Sequence, residues 1–239
     1  MKPIYIKLMA LILASAAMAA MATNSANAQT PAVPNPGAPV YVIGYIDAVP
    51  SMKAQAMAFL KQARASCAKA AGNLRCEIVQ RMEQQNEFAR LEIWKDQAAF
   101  KAHAAGGGAQ FNEKLKPLLA SPYDERIHTA MSALAPQAAP GGRIVYAITH
   151  IDVIPPSIGP ALPLLSRMAE DGRKDTGNGR LEILQQLAPT INHFTVVEIW
   201  SNKRQLEAHQ AAPQTIRFRE QLQPAIGAPY DERLYKILD

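Results

Sequence analysis

The sequence predicts an α+β fold built from two tandem βαββαβ units, and three observations carry that prediction. First, Phe88-Ala89-Arg90-Leu91-Glu92-Ile93-Trp94 returns as Phe194-Thr195-Val196-Val197-Glu198-Ile199-Trp200, and the chain's two tryptophans end these copies. Second, the register holds outward from them, as a repeated supersecondary unit requires. Tyr41-x-Ile43-x-Tyr45-Ile46-Asp47 recurs 105 residues on as Tyr146-x-Ile148-x-His150-Ile151-Asp152, and Gly72-Asn73-x-Arg75-x-Glu77-Ile78-x-Gln80 recurs at the same spacing from Gly177 to Gln185. Third, identical Pro-Tyr-Asp-Glu-Arg blocks stand at 122–126 and 229–233, now 107 residues apart. The spacing grows by single residues in expected loops, where insertions are tolerated.

The elements of the first unit follow in order. Residues 40–47 alternate around β-branched and aromatic types and read as a strand closed by Pro50. Residues 52–70 are rich in Ala, Met, Lys and Gln, carry Met57, Leu60, Arg64 and Cys67 at helical spacing, and stop at Gly72. Strands over 75–82 and 87–94 form a hairpin across Glu83-Gln84-Gln85-Asn86. A helix from Asp96 to about His103, a break at Gly106-Gly107-Gly108, a second helical piece to about Leu119 and a strand from Tyr123 to Thr129 complete the unit. The second unit repeats this order, with Pro155, Pro156, Pro160 and Pro163 expected to delay its first helix. A sheet with helices on one face leaves its other face to be covered, and two copies in one chain cover each other.

The ends and the composition narrow the function classes. Residues 1–28 carry Lys2 and Lys7, an apolar run centred on Leu8–Ala20, and Ala26-Asn27-Ala28, the pattern of a cleaved secretory signal. The expected organisation is therefore a signal peptide (1–28), a proline-rich mature N-terminus (29–39), a first domain (40–131), a linker (132–143) and a second domain (144–239), in a periplasmic or secreted protein. The apolar run is shorter than the roughly 20 residues of a membrane span, so no stable anchor is expected after cleavage. Losing two lysines lowers the formal charge from +5 to +3 over 211 residues, too little to indicate nucleic acid. Cys67 and Cys76 could form a local disulfide in an oxidising compartment, but Gly172 and Leu181 replace them in the second copy. No metal constellation, dinucleotide fingerprint or phosphate loop is repeated.

Period two on the third strand puts Phe88, Arg90, Glu92 and Trp94 on one face, and Phe194, Val196, Glu198 and Trp200 on its counterpart. A carboxylate among large aromatics is costly without a donor and titrates high if it lacks one. The nearest obvious donors are His103 and His209, each nine residues past its Trp, and of five histidines only these two match between copies. A Glu–His pair could fix one imidazole tautomer and leave the other nitrogen for a substrate hydroxyl, as general-base work needs. The alternative is structural: the histidine caps its helix and braces the Glu, while the tryptophans pack as anchors.

The segments Glu92–His103 (EIWKDQAAFKAH) and Glu198–His209 (EIWSNKRQLEAH), with the Pro-bounded first strand, the helix ending in Gly-Asn and the Tyr-Asp-Glu-Arg final strand, resemble the antibiotic biosynthesis monooxygenase family, which includes quinol monooxygenases. The likeness spans most of residues 40–131 and 144–238. It implies tandem ferredoxin-like units closing an intramolecular version of the dimeric α+β barrel, so that a monomer acts as a pseudo-dimer. It implies an oxidoreductase that uses O2 on a small aromatic phenol or quinol with no metal, flavin or haem, because the bound phenolate itself reduces oxygen. His103, His209, Glu92 and Glu198 would then position and deprotonate substrate, and Trp94, Trp200, Tyr45 and His150 would line its site. Tyr45 and His150 occupy matching positions yet titrate in different ranges, so pockets lined by them would differ. The family's Thr-Pro-His-Phe-like turn lacks its histidine in both copies, and the Trp and His of the haem-degrading branch are not matched, which disfavours haem cleavage. The alternative to catalysis is a non-catalytic envelope protein that binds a hydrophobic small molecule or serves structurally. If one copy holds an open cavity and the other a filled one, one copy has become scaffold, and the proline-rich helix start makes the second copy the expected candidate.

Overall fold

The computed structural model describes residues 35–133 and 143–238, so the expected leader, most of the proline-rich segment and most of the linker lie outside the described residues. Eight strands close a barrel in the order β1-β3-β2-β8-β5-β7-β6-β4. In the first half these are β1 (Val40–Asp47), β2 (Asn73–Arg81), β3 (Glu87–Trp94) and β4 (Asp124–Ser132). In the second they are β5 (Val145–Asp152), β6 (Asn178–Gln186), β7 (His193–Trp200) and β8 (Asp231–Ile237). Within each half the order is that of a ferredoxin-like sheet, and the sheet edges pair across halves: Val79 with Ile237 through β2–β8, and Thr129 with Gln185 through β4–β6. Closure removes the open edges that two separate sheets would expose.

The pleat then sorts side chains into two layers. Tyr41, Ile43, Leu91 and Ile93 meet Tyr146, Ile148, Val197 and Ile199 inside the barrel. Facing outward, Ile46, Ile78 and Phe88 are covered by Leu60, Phe111 and Leu115, which lie on α1 (Lys53–Cys67) and α3 (Ala109–Leu115). Ile151, Ile183 and Phe194 are covered likewise by Leu165, Phe218 and Leu222 on α4 (Ile158–Gly172) and α6 (Pro213–Leu222). The remaining α-helices are α2 (Gln97–His103) and α5 (Lys203–Gln210).

The repeated Arg-x-Glu of β2 and β6 also spans the halves. Arg75 reaches Glu182 at 2.7 Å and Arg180 reaches Glu77 at 2.6 Å, while the Tyr146 hydroxyl donates to Glu77 at 3.3 Å. These four charges are largely buried, so each depends on its partner from the other half for the solvation it has lost.

Two expectations are corrected. The glycines at 106–108 do not break the helical layer, because Ala104–Gly108 form a π-helical turn that carries α2 directly into α3. The prolines do not delay α4, which starts 105 residues after α1 and has the same length. Pro155 and Pro156 sit in the preceding 3-10 turn, Pro160 lies in the first turn where N–H groups lack helical partners, and only Pro163 removes a helical donor.

Candidate active site

On β3 and β7 the faces bearing Glu92 and Glu198 point toward the helices. Past each tryptophan a side-chain cap starts the next helix: Asp96 accepts from the Ala99 N–H at 2.7 Å, and Asn202 from the Gln205 N–H at 3.1 Å. Two turns later the imidazole returns over the indole. The His103 and Trp94 rings stack with centroids 4.3 Å apart, and those of His209 and Trp200 lie 4.7 Å apart. Each indole N–H donates to its own strand's carboxyl, Trp94 to Glu92 at 3.0 Å and Trp200 to Glu198 at 2.7 Å. The repeated Glu, Trp and His are thus one cluster in each half. Burial raises both glutamates above the usual carboxylate range, offset in part by Arg90 and Trp94 for Glu92 and by His209 and Trp200 for Glu198.

The first cluster is closed by Arg90. Its guanidinium pairs with Glu92, donates to His103 Nε2 at 3.2 Å and lies 4.2 Å over the Phe111 ring. The donor that Glu92 needs is therefore Arg90 and not His103. The bond to Nε2 puts the imidazole hydrogen on Nδ1 and occupies the basic nitrogen. Burial and then Arg90 lower the His103 pKa, which keeps the ring neutral. Tyr123 fills the neighbouring space, lying so close to Gly44 that a Cβ there would overlap its ring.

In the second cluster Val196 replaces Arg90, and the histidine is held from the opposite side. His209 Nδ1 lies 2.7 Å from Asp175 Oδ2, and Gln214 donates to Asp175 at 3.2 Å. His209 Nε2 faces Glu198 at 3.8 Å, beyond hydrogen-bond length, and has no hydrogen bond among the described residues. Gly172 makes the room, since a Cβ there would meet His209 Cε1 at 3.0 Å. A cleft of about 180 Å³ between α4 and α6 reaches His209. The imidazole that borders a cleft is His209, although its side chain is only 3% exposed, and Trp200 supports it from behind without lining the cleft.

Tyr45 and His150 lie on the barrel side of the sheet, away from both clusters. They face each other edge to face at 5.1 Å. The His150 Nδ1 stands 3.3 Å from Arg126, and burial together with Arg126 and Arg233 lowers its pKa to about 4. The two residues form one contact across the barrel. Sequence reasoning assigned no role to Arg90 or Asp175. Arg90 was visible on the Glu92 face but has no counterpart, and Asp175 comes from another element, where Ala70 is its partner in the first copy.

This geometry can be set beside known proteins. Residues 39–110 match the model of the antibiotic biosynthesis monooxygenase family. The match covers most of the first repeat and less than half of the chain. The second repeat shares the strand order and the Glu-Ile-Trp motif of the first. The tandem arrangement also has structural relatives. A candidate monooxygenase from Fusobacterium nucleatum superposes with a TM-score of 0.76 at 13% identity, over 85% of this chain and 94% of its own. One from Lactobacillus acidophilus gives 0.69 at 11% identity, over 84% and 95%. An anthrone oxidase-like protein gives 0.66 at 12% identity, over 84% and 91%. At these identities the likeness concerns the fold. No curated protein matches the chain.

Proposed function

We propose that the protein is a monooxygenase that oxidises a small aromatic phenol or quinol with O2, without a bound cofactor, and that its second half carries the reaction. The family match of the first repeat supports the reaction class. The observation that carries the choice of half is His209, which lines the cleft, is anchored through Nδ1 by Asp175 and keeps Nε2 without a hydrogen bond among the described residues. Nε2 accepts the substrate hydroxyl proton, and the imidazolium so formed lies between the carboxyl groups of Asp175 and Glu198. The phenolate is the reductant. For a quinol the balance closes without another electron source: quinol and O2 give a hydroxyquinone and water, the quinol supplying every electron. One observation favours a non-catalytic role for the first half, namely Arg90, which occupies both Glu92 and the basic nitrogen of His103.

The test is oxygen uptake by metal-free protein with a panel of hydroquinones. Turnover above the autoxidation background is expected, and turnover no faster than background overturns the reading. We further propose a periplasmic or secreted location after cleavage behind Ala28. The Cys67–Cys76 disulfide supports an oxidising compartment. The intact mass of protein recovered from the cell envelope should correspond to a chain starting at Gln29, and an uncleaved chain in the cytoplasm overturns it.

A further inference from the structure

We infer that the ligand of the second-half cleft is an aromatic hydroxy acid: its carboxylate is received by Arg167 and Arg217 at the mouth, and its hydroxyl by Thr215 and His209 deeper in. The inference rests on the reading of this cleft as the substrate site and adds the substrate class. At about 180 Å³ the cleft is well below the roughly 300–1,000 Å³ of sites for drug-sized ligands, which fits one ring better than a fused polycycle. Leu164, Met168 and Phe218 supply apolar wall for the ring.

The polar groups discriminate further. Arg167 and Arg217 line the cleft, and among the described residues neither guanidinium has a carboxylate within ion-pair distance, whereas the nearby Asp171 is paired with Lys174 at 3.0 Å. Two arginines without acidic partners at one mouth favour an anionic ligand, and guanidinium geometry favours a carboxylate. Thr215 is 4% exposed, and its hydroxyl has no hydrogen-bond partner. A buried hydroxyl left unsatisfied is unfavourable, and because Thr215 lines the cleft, turning its side chain toward a ligand hydroxyl there would satisfy it. The first half lacks all three features: Gln62, Gln110 and Gly108 stand where Arg167, Arg217 and Thr215 stand in the second. The arginine pair and the unpartnered threonine hydroxyl are confined to the half whose histidine borders the cleft.

The experiment is titration calorimetry on the full chain with gentisate, a quinol bearing a carboxylate, and with its methyl ester. Gentisate should bind about tenfold tighter than the ester, the order expected of a charge-assisted contact to arginine. The double variant R167Q/R217Q, which installs the first-half residues at an exposed mouth, should abolish that preference, bringing gentisate affinity down to that of the ester. Thr215→Val should weaken both ligands, with thermal unfolding confirming that each variant folds. Equal binding of acid and ester, a preference that survives in the double variant, or binding of neither probe overturns the inference. The two proposals fail separately. Arginine-dependent gentisate binding without oxygen uptake sinks the monooxygenase reading and keeps this one, whereas turnover of neutral quinols with no preference for the acid does the reverse.

Discussion

Replacing Arg90 by Val, the residue that the second half carries at Val196, tests how the first cluster is held. Arg90 and Glu92 are each 4% exposed, so the variant strands a buried carboxylate. Breaking a buried pair by removing one partner costs about 3–5 kcal/mol. The lost contact with Phe111 adds up to about 1 kcal/mol. Against this, the Trp94 N–H still donates to Glu92, and Glu92 can shed its charge by taking a proton, because burial already raises its pKa. A net loss of about 3 kcal/mol at neutral pH is expected, which for a domain of this size lowers Tm by roughly 6–12 °C. Thermal and urea unfolding followed by circular dichroism give the number. The penalty should shrink as pH falls, since protonated Glu92 no longer needs a cation. The His103 pKa, read by NMR, should rise once its Nε2 is released. A loss under about 1 kcal/mol with an unmoved His103 would refute the reasoning.

Three further outcomes follow from the same geometry. Glu77→Gln removes the charge facing Arg180 across the halves and should cost about 3 kcal/mol or more in urea unfolding; a neutral result would mean that the interior pairs do not bind the halves together. Gly172→Ala places a methyl against Leu181 and His209 Cε1, and should cost about 1–3 kcal/mol while lowering the affinity of gentisate; unchanged affinity would show that the imidazole need not stay where it is. Glu198 titrates above its ordinary value of 4.5, so the folded state holds this proton more tightly than the unfolded state. Its contribution is complete below 4.5 and is lost as pH rises through the higher folded pKa. Glu198→Gln should flatten that decline in a stability–pH profile, and a profile parallel to that of the unmodified protein would contradict the assignment.

The fold was legible because duplication writes the same constraints twice. Strand order, the hairpin and the outward face of Glu92 and Trp94 all follow from period two and a fixed spacing. Where the reading failed, non-local contacts decided. β4 runs past Thr129 to Ser132 because its last residues pair with β6 of the other half. The glycines at 106–108 have poor helix propensity, yet helices on both sides carry the backbone through them as a π turn. At the site, the Glu–Trp–His spacing was readable because one cap and two helical turns return the imidazole to the indole. Arg90 and Asp175 were not, since neither is repeated and each acts on a histidine from a different element. Those two residues make the copies chemically different, a distinction that the sequence reading placed instead at Tyr45 and His150.

The central claim is that the second half alone has a histidine free to act. The direct test is oxygen uptake with a quinol substrate by His103→Gln and His209→Gln compared side by side, each shown by circular dichroism to be folded. The account predicts that His209→Gln lowers kcat by about 100-fold or more, the usual weight of a general base, while His103→Gln stays within about twofold of the unmodified chain. Equal losses in both variants, or a loss confined to His103→Gln, would contradict it.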